Sequence, residues 1–247
     1  MGLCPVSGFE IRTITDIKRR NAAMIPISDD NPTRQMPVVT WSIIALCIGV
    51  FLWELSFDER QFEGMIRSLG FTPRDFFDGS GEWLTILTSM FLHGGLMHLG
   101  GNMLYLWIFG NNVEDAMGHA RYLIFYLVAG GAAAFAQAIA EPDTTIPMVG
   151  ASGAISGVLG AYVLIYPRAR ITVLIPLGVI LYPTKISSVF VVGFWFVLQL
   201  ISAAMAEPGA PGVAWLAHVG GFVAGALLTP LLSQYPLLGR HYRGPWG

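Results

Sequence analysis

The sequence predicts an all-α membrane protein: a bundle of six transmembrane helices with a short fourth helix and an interfacial first loop. Three observations carry this. Of 247 residues, 54% are hydrophobic and 12% charged, with a mean hydropathy of +0.59, whereas a soluble domain carries about a quarter charged residues. Six apolar runs, separated by polar connections, recur along the chain. Lysine and arginine divide unevenly between alternate connections, 11 on the side of the two termini and 3 on the other. A net charge of −2 gives no support for nucleic-acid binding. The only cysteines are Cys4 in a polar arm and Cys47 in an apolar run, which argues against a disulfide framework or a cysteine-based metal site.

Residues 1–37 read as a polar arm with Arg12, Lys18, Arg19, Arg20 and Arg34, ending in Asp29-Asp30-Asn31-Pro32. The arm lacks the apolar core of a cleavable signal peptide, and Val6 spoils Met1-Gly2-Leu3-Cys4 as a lipidation signal, so neither is expected. The first run, Val38 to about Phe57, is long enough to cross a hydrocarbon layer as a helix. From Asp58 to about Leu92 the chain mixes charges with Trp83, Leu84 and Met90-Phe91-Leu92, the pattern of a loop lying in the membrane interface. The second and third runs, about Gly94 to Asn111 and Arg121 to Ala140, flank a polar turn ending at His119. The fourth, Gly150 to Tyr166, is short, so its serine end should start below the membrane surface. The stretch Ile171 to Tyr182, with Pro176, Gly178 and Pro183 in or beside it, is too short to span and reads as re-entrant or interfacial. The fifth and sixth runs cover about Ile186 to Ala206 and Val213 to Leu232. The expected organisation is an arm 1–37, a membrane domain 38–232 and a tail 233–247.

By the positive-inside rule both termini are cytoplasmic, and Ser152 and His218, which open the fourth and sixth runs, face outward in one leaflet. On the second run His98 and Asn102 stand four apart and share a helical face. A polar group in lipid needs a partner or a cavity, so these four residues at one depth point to a wet pocket. A serine hydroxyl becomes a nucleophile when a base takes its proton, and neutral imidazole is the usual base. His98, Asn102 and the Ser152 amide could stabilise an oxyanion. No Asp or Glu lies within the fourth or sixth run to orient His218, so the expectation is a Ser-His dyad. Each residue alone has a plainer reading. Ser152 between glycines could be a packing seam, His218 a structural hydrogen bonder, and His98 with Asn102 an interhelical clamp. His93 reads as holding a loop, and His119 and His241 as solvated. The soluble-hydrolase nucleophile elbow fails because a Pro-bounded loop, not a strand, precedes the serine.

Gly150-Ala151-Ser152-Gly153, Ala217-His218-Val219-Gly220-Gly221 with Gly225, and His98-Leu99-Gly100-Gly101-Asn102, in this order on successive apolar runs, resemble the signatures of the rhomboid family of intramembrane serine proteases. The Gly110-Asn111-Asn112-Val113-Glu114-Asp115 turn and Phe91-Leu92-His93-Gly94-Gly95 are similar to that family as well. The resemblance implies a six-helix bundle that cleaves peptide bonds in or beside transmembrane segments of other proteins, in the bilayer, without metal or cofactor. It implies Ser152 as nucleophile, His218 as base, and His98 and Asn102 with the Ser152 amide as oxyanion hole. It also implies that Gly150 lets the loop approach the serine, and that Gly153 and Gly157 pack against Gly221 and Gly225. The expected location is the cytoplasmic membrane of a bacterium. The sequence leaves oligomeric state, substrate and pathway open. In two places the pattern departs from the family: Ser156 stands where some rhomboids carry a tyrosine that stacks on the base, and Trp83 is not followed by arginine. Two readings from other classes stay open, a non-catalytic rhomboid-like binding factor and a proton-coupled transporter. The presence of both serine and histidine weighs against the first, and the confinement of polar residues to one side of the bilayer against the second.

Overall fold

The structure, a computed structural model, describes residues 25–177, 180–207, 209 and 212–237. Sequence readings made of residues 1–24 and 238–247, His241 among them, lie outside the described residues.

The first apolar run forms α1 (Val38–Glu54). Its opening amides have no partners within the helix, and Glu114 supplies them from elsewhere in the chain. The Glu114 carboxylate accepts from Val39 N and Thr40 N at 2.8 Å each, and from Thr40 Oγ1 at 2.7 Å. The interfacial stretch folds into α2 (Glu59–Leu69), α3 (Pro73–Asp78), α4 (Leu84–Thr88) and the turn Ser89–Phe91. Asp58 and Gln61 form a reciprocal capping box at the start of α2. Exposed Phe77, Trp83, Leu84 and Leu87 give this region an apolar surface.

The second run is one continuous helical stretch, α5 (Leu96–Tyr105), a π-turn (Leu106–Gly110) and α6 (Asn111–Met117). After it come α7 (His119–Ala140), α8 (Ser152–Ile165), α9 (Ser188–Met205) and α10 (Trp215–Leu232). Among the described residues α7, α9 and α10 are long and apolar enough to cross a membrane, while α1 and α8 are shorter apolar helices. Every residue of α8 from Ala154 to Tyr162 is buried, so this helix is the core around which α7 and α10 close. The outer helices turn Leu52, Ile124, Phe190, Leu227 and Leu231 outward. That is the arrangement of a helical membrane bundle, whose apolar exterior is solvated by lipid.

The stretch read as re-entrant or interfacial folds as a β-hairpin, β2 (Arg170–Leu177) and β3 (Ile180–Ser187). It is joined by β1 (Ile25–Asp29) from the polar arm in an antiparallel sheet of order β1-β2-β3. The reason is visible in hindsight: Ile171 and Val173 alternate into the core and are fully buried, the period-two pattern of a half-buried strand. A short apolar run does not distinguish strand from interfacial helix by itself, and the strand's partner at residues 25–29 is remote in sequence.

The sheet is tied to the bundle at the end of α8 opposite Ser152. Asp29 Oδ2 accepts from the Tyr162 hydroxyl at 2.7 Å and from Asn112 Nδ2 at 2.8 Å, and Asn31 Nδ2 donates to the Tyr162 oxygen at 2.9 Å. Asp115 accepts from Arg34 N at 3.0 Å, Gln35 N at 2.9 Å and the Tyr235 hydroxyl at 2.9 Å. Burial, helped by repulsion from Asp30, pushes the Asp29 carboxyl up to about 6. His119, expected to be simply solvated, bonds Glu114 Oε1 through Nδ1 at 2.6 Å while keeping part of its ring exposed.

Candidate active site

Ser152 is the first residue of α8, placed there by a loop whose last turn only glycine accommodates easily. Gly150 has φ 123°, a backbone region that side chains resist. A Cβ at this position would also lie 2.6 Å from His98 Cε1 and 2.7 Å from His98 Nε2. The Gly150 amide donates to Ser89 O at 2.8 Å, fixing the loop to the turn before α5. The absence of a side chain at residue 150 therefore lets the His98 ring lie against the backbone just ahead of the serine.

His218 reaches the serine from the first turn of α10. The separation between Ser152 Oγ and His218 Nε2 is 2.8 Å. Backbone contact between α8 and α10 makes this possible. A methyl group at Gly221 would collide with the Gly153 carbonyl, and one at Gly225 with the Gly157 carbonyl, while Gly157 and Gly153 face Ala129 and Ala133 of α7. The result is a small-residue seam that brings two helix axes together. Gln137 of α7 accepts from Ala217 N at 3.2 Å and so caps the start of α10 beside the histidine.

Ser152, His218, His98, Asn102 and Gly150 line one cavity of about 690 Å³, together with apolar Met90, Met148, Trp195 and Trp215. Asn102 is buried, and its Nδ2 donates to no group among the described residues. That amide donor is open to a group entering the cavity it shares with Ser152. His93, fully buried, donates its amide to Glu54 Oε1 at 3.0 Å, and its ring meets that of His98 edge-on at 5.3 Å between centroids. Glu54 thereby anchors the loop that leads into the helix carrying His98 and Asn102. Among the described residues no three His, Cys, Asp or Glu side chains stand together as a metal site would need.

The Rhomboid domain family model matches residues 80–235, more than half of the chain and all of the elements just described from α4 to α10. The chain belongs to the rhomboid family. Among its relatives, this rhomboid is 32% identical over 200 residues to the rhomboid protease GluP of Bacillus subtilis, a match covering 80% of this chain and 35% of that protein. It is 26% identical over 215 residues to Rhomboid-like protein 11, chloroplastic, of Arabidopsis thaliana, covering 83% of this chain and 69% of the other. It is 28% identical over 213 residues to the rhomboid protease AarA of Providencia stuartii, covering 77% and 71%. The chain thus spans about a third of the length of GluP and about two thirds of the other two.

Three side chains in this rhomboid's site, Gln199, Trp195 and Trp215, escaped the sequence reading. Ser156 does not approach the imidazole: its hydroxyl turns back to Ser152 O at 2.7 Å. Instead α9, together with Trp215 of α10, supplies the neighbours of the His218 imidazole. Gln199 Oε1 lies 2.8 Å from His218 Nδ1, and the Trp195 ring lies over the imidazole at 6.0 Å with 33° between planes, while Trp215 meets it edge-on at 6.1 Å. The available signal was a lone glutamine in an otherwise apolar run, a residue that membrane helices rarely keep without a partner.

Proposed function

We propose that this rhomboid is an intramembrane serine endopeptidase that cleaves peptide bonds in or beside transmembrane segments of other membrane proteins. The observation that carries the reading is the 2.8 Å contact between Ser152 Oγ and His218 Nε2 inside a cavity that also holds His98 and Asn102. Membership of the rhomboid family and relatives named as proteases support it.

In this mechanism the Ser152 hydroxyl donates its proton to His218 Nε2 as Oγ attacks the scissile carbonyl carbon. The carbonyl oxygen becomes an oxyanion held by Asn102 Nδ2, His98 and the Ser152 amide, which is unpaired within its helix at the start of α8. His218 returns the proton to the leaving amine nitrogen, and the C–N bond breaks to leave a Ser152 ester. A water, deprotonated by His218, then attacks the ester and releases the carboxylic acid, with the proton restored to Oγ. No metal or cofactor takes part in this scheme.

For the membrane arrangement we adopt six crossings with both termini cytoplasmic and the site open to the outer face of a bacterial cytoplasmic membrane. The 14 residues of α8 rise about 21 Å against a hydrocarbon layer of about 30 Å. The serine end is accordingly submerged, where water enters from outside and a substrate helix from the side. The partners are transmembrane substrates and the bilayer itself, with no nucleic acid. The test is cleavage of a single-span reporter protein by the full chain reconstituted in liposomes. Ser152→Ala and His218→Ala should each abolish turnover while leaving thermal unfolding in place, and undiminished turnover in Ser152→Ala ends the reading.

A further inference from the structure

We infer that Gln199 is a positioning residue for the general base: it fixes which nitrogen of His218 carries the proton and so makes Nε2 the one that receives the proton of Ser152. The inference rests on the reading of Ser152 and His218 as nucleophile and base. The geometry behind it is a chain of contacts with one consistent polarity. Gln199 is buried on α9, and its Nε2 donates to Trp195 O one turn back at 3.2 Å. That bond turns Oε1 toward His218 Nδ1, 2.8 Å away. An amide oxygen only accepts, so Nδ1 must hold the hydrogen. A neutral imidazole then has a bare Nε2, and the hydroxyl 2.8 Å from it has to be the donor. With the amide reversed, its NH2 would donate to Nδ1 and force the hydrogen onto Nε2, and with the amide absent either tautomer is allowed; the form with hydrogen on Nε2 cannot accept a proton from serine.

The choice of glutamine has a physical rationale. A carboxylate at this position would orient the ring equally well, but it would put a charge on a helix whose neighbours Val197, Leu198, Leu200 and Ile201 are exposed on the outer surface of the bundle. The amide orients without charging. It also answers what holds the imidazole when residue 156 has no aromatic ring: Trp195 limits the ring plane from one face and Gln199 limits its rotation. Because both belong to α9, the base is held by a helix of which only Ser188, Val191, Val192 and Gln199 are buried.

The experiment compares the full-length wild type with Gln199→Met, which keeps the volume but has no amide acceptor, and with Gln199→Glu, which keeps an acceptor. Two readouts are taken in lipid bilayers. Nitrogen-15 spectra of labelled histidines, with His218→Ala used to assign the signals, report the tautomer without any turnover. The rate at which a fluorophosphonate probe labels Ser152, followed across pH, reports the competence of the base. The expected result is a single Nδ1-protonated tautomer in the wild type and a mixture in Gln199→Met. Labelling in Gln199→Met should fall about tenfold to a hundredfold, the range for disturbing rather than removing a base, with an unchanged unfolding midpoint. Gln199→Glu should restore the tautomer and move the acidic limb of the rate profile to higher pH, because a carboxylate favours the imidazolium. A single Nδ1-protonated tautomer in Gln199→Met, or wild-type labelling by it, overturns the proposal. If Gln199→Met does not fold, a Gln199→Glu profile that superimposes on the wild type overturns it. Failure of the wild type to be labelled at Ser152 would defeat the peptidase reading instead, while the spectra would still decide the role of Gln199.

Discussion

Gly150 sets the geometry of the proposed oxyanion side because two separate demands meet at one residue. Its φ of 123° favours glycine, and its missing side chain is the space the His98 ring occupies. Alanine there combines backbone strain of about 1–3 kcal/mol with displacement of His98. Gly150→Ala should therefore reduce reporter cleavage by roughly a hundredfold, the cost of one oxyanion donor, while the unfolding midpoint moves by only a few degrees. A variant with wild-type kinetics would remove His98 from the proposed oxyanion hole. Ser156 carries the opposite lesson. Its hydroxyl is satisfied by Ser152 O on its own helix, so Ser156→Ala should leave both cleavage and probe labelling within a factor of about two, since an i−4 hydroxyl bond of this kind stabilises a helix little.

At the scale of elements, the seam between α8 and α10 holds the site together. The Gly153–Gly221 and Gly157–Gly225 pairs put backbone against backbone, so a side chain at Gly221 or Gly225 must separate α8 from α10 and draw the imidazole away from the hydroxyl. Gly225→Val is expected to destabilise the protein by about 1–3 kcal/mol, the usual cost of overpacking, measured by denaturant unfolding in micelles. It should also abolish labelling of Ser152, although residue 225 lies about two turns along α10 from His218. Retention of labelling would mean that α10 can slide without losing the contact. Glu114 performs a comparable task for α1, satisfying its first amides through a buried carboxylate. The polar turn between the second and third apolar runs is thus a structural hub and not a solvated connection.

For the molecule as a whole, the sheet and the polar hub form one cap on the end of the bundle remote from Ser152, and α8 joins the two ends. Asp29 is the titratable group at the centre of that cap. Its folded value of about 6 lies above the ordinary carboxyl value of about 4. Between those limits the folded protein binds more protons than the unfolded one, so stability falls as pH rises from about 4 to about 6, and the full cost persists above 6. Strand β1 should accordingly dock more firmly at pH 5 than at pH 7.5, by about 1.4 kcal/mol, the equivalent of one pKa unit. Hydrogen exchange at residues 25–31 would measure this, and Asp29→Asn should flatten the dependence and raise protection at neutral pH. Equal protection at both pH values in the wild type would show that the Asp29 carboxyl keeps an ordinary value.

The division between what the chain announces and what folding adds follows from the range of the interactions involved. Hydropathy and its periodicity are local, so the sequence by itself determined a helical membrane bundle, and the order of motifs on successive apolar runs determined the rhomboid family. Ile171 and Val173 were legible as apolar but not as strand: they pair locally with Ile186 and Thr184 across the hairpin, and the third strand that completes the sheet, Ile25–Asp29, comes from some 145 residues away. The resemblance implied that the glycines at 153 and 157 pack against those at 221 and 225; packing added that Gly221 and Gly225 lie against the Gly153 and Gly157 carbonyls while positions 153 and 157 themselves face α7. Gln199 was conspicuous as an amide in an apolar run, but nothing local joins α9 to His218 on α10. Tertiary structure alone decided which polar groups meet, because a buried donor finds its acceptor through the packing of helices and not through neighbours in the chain.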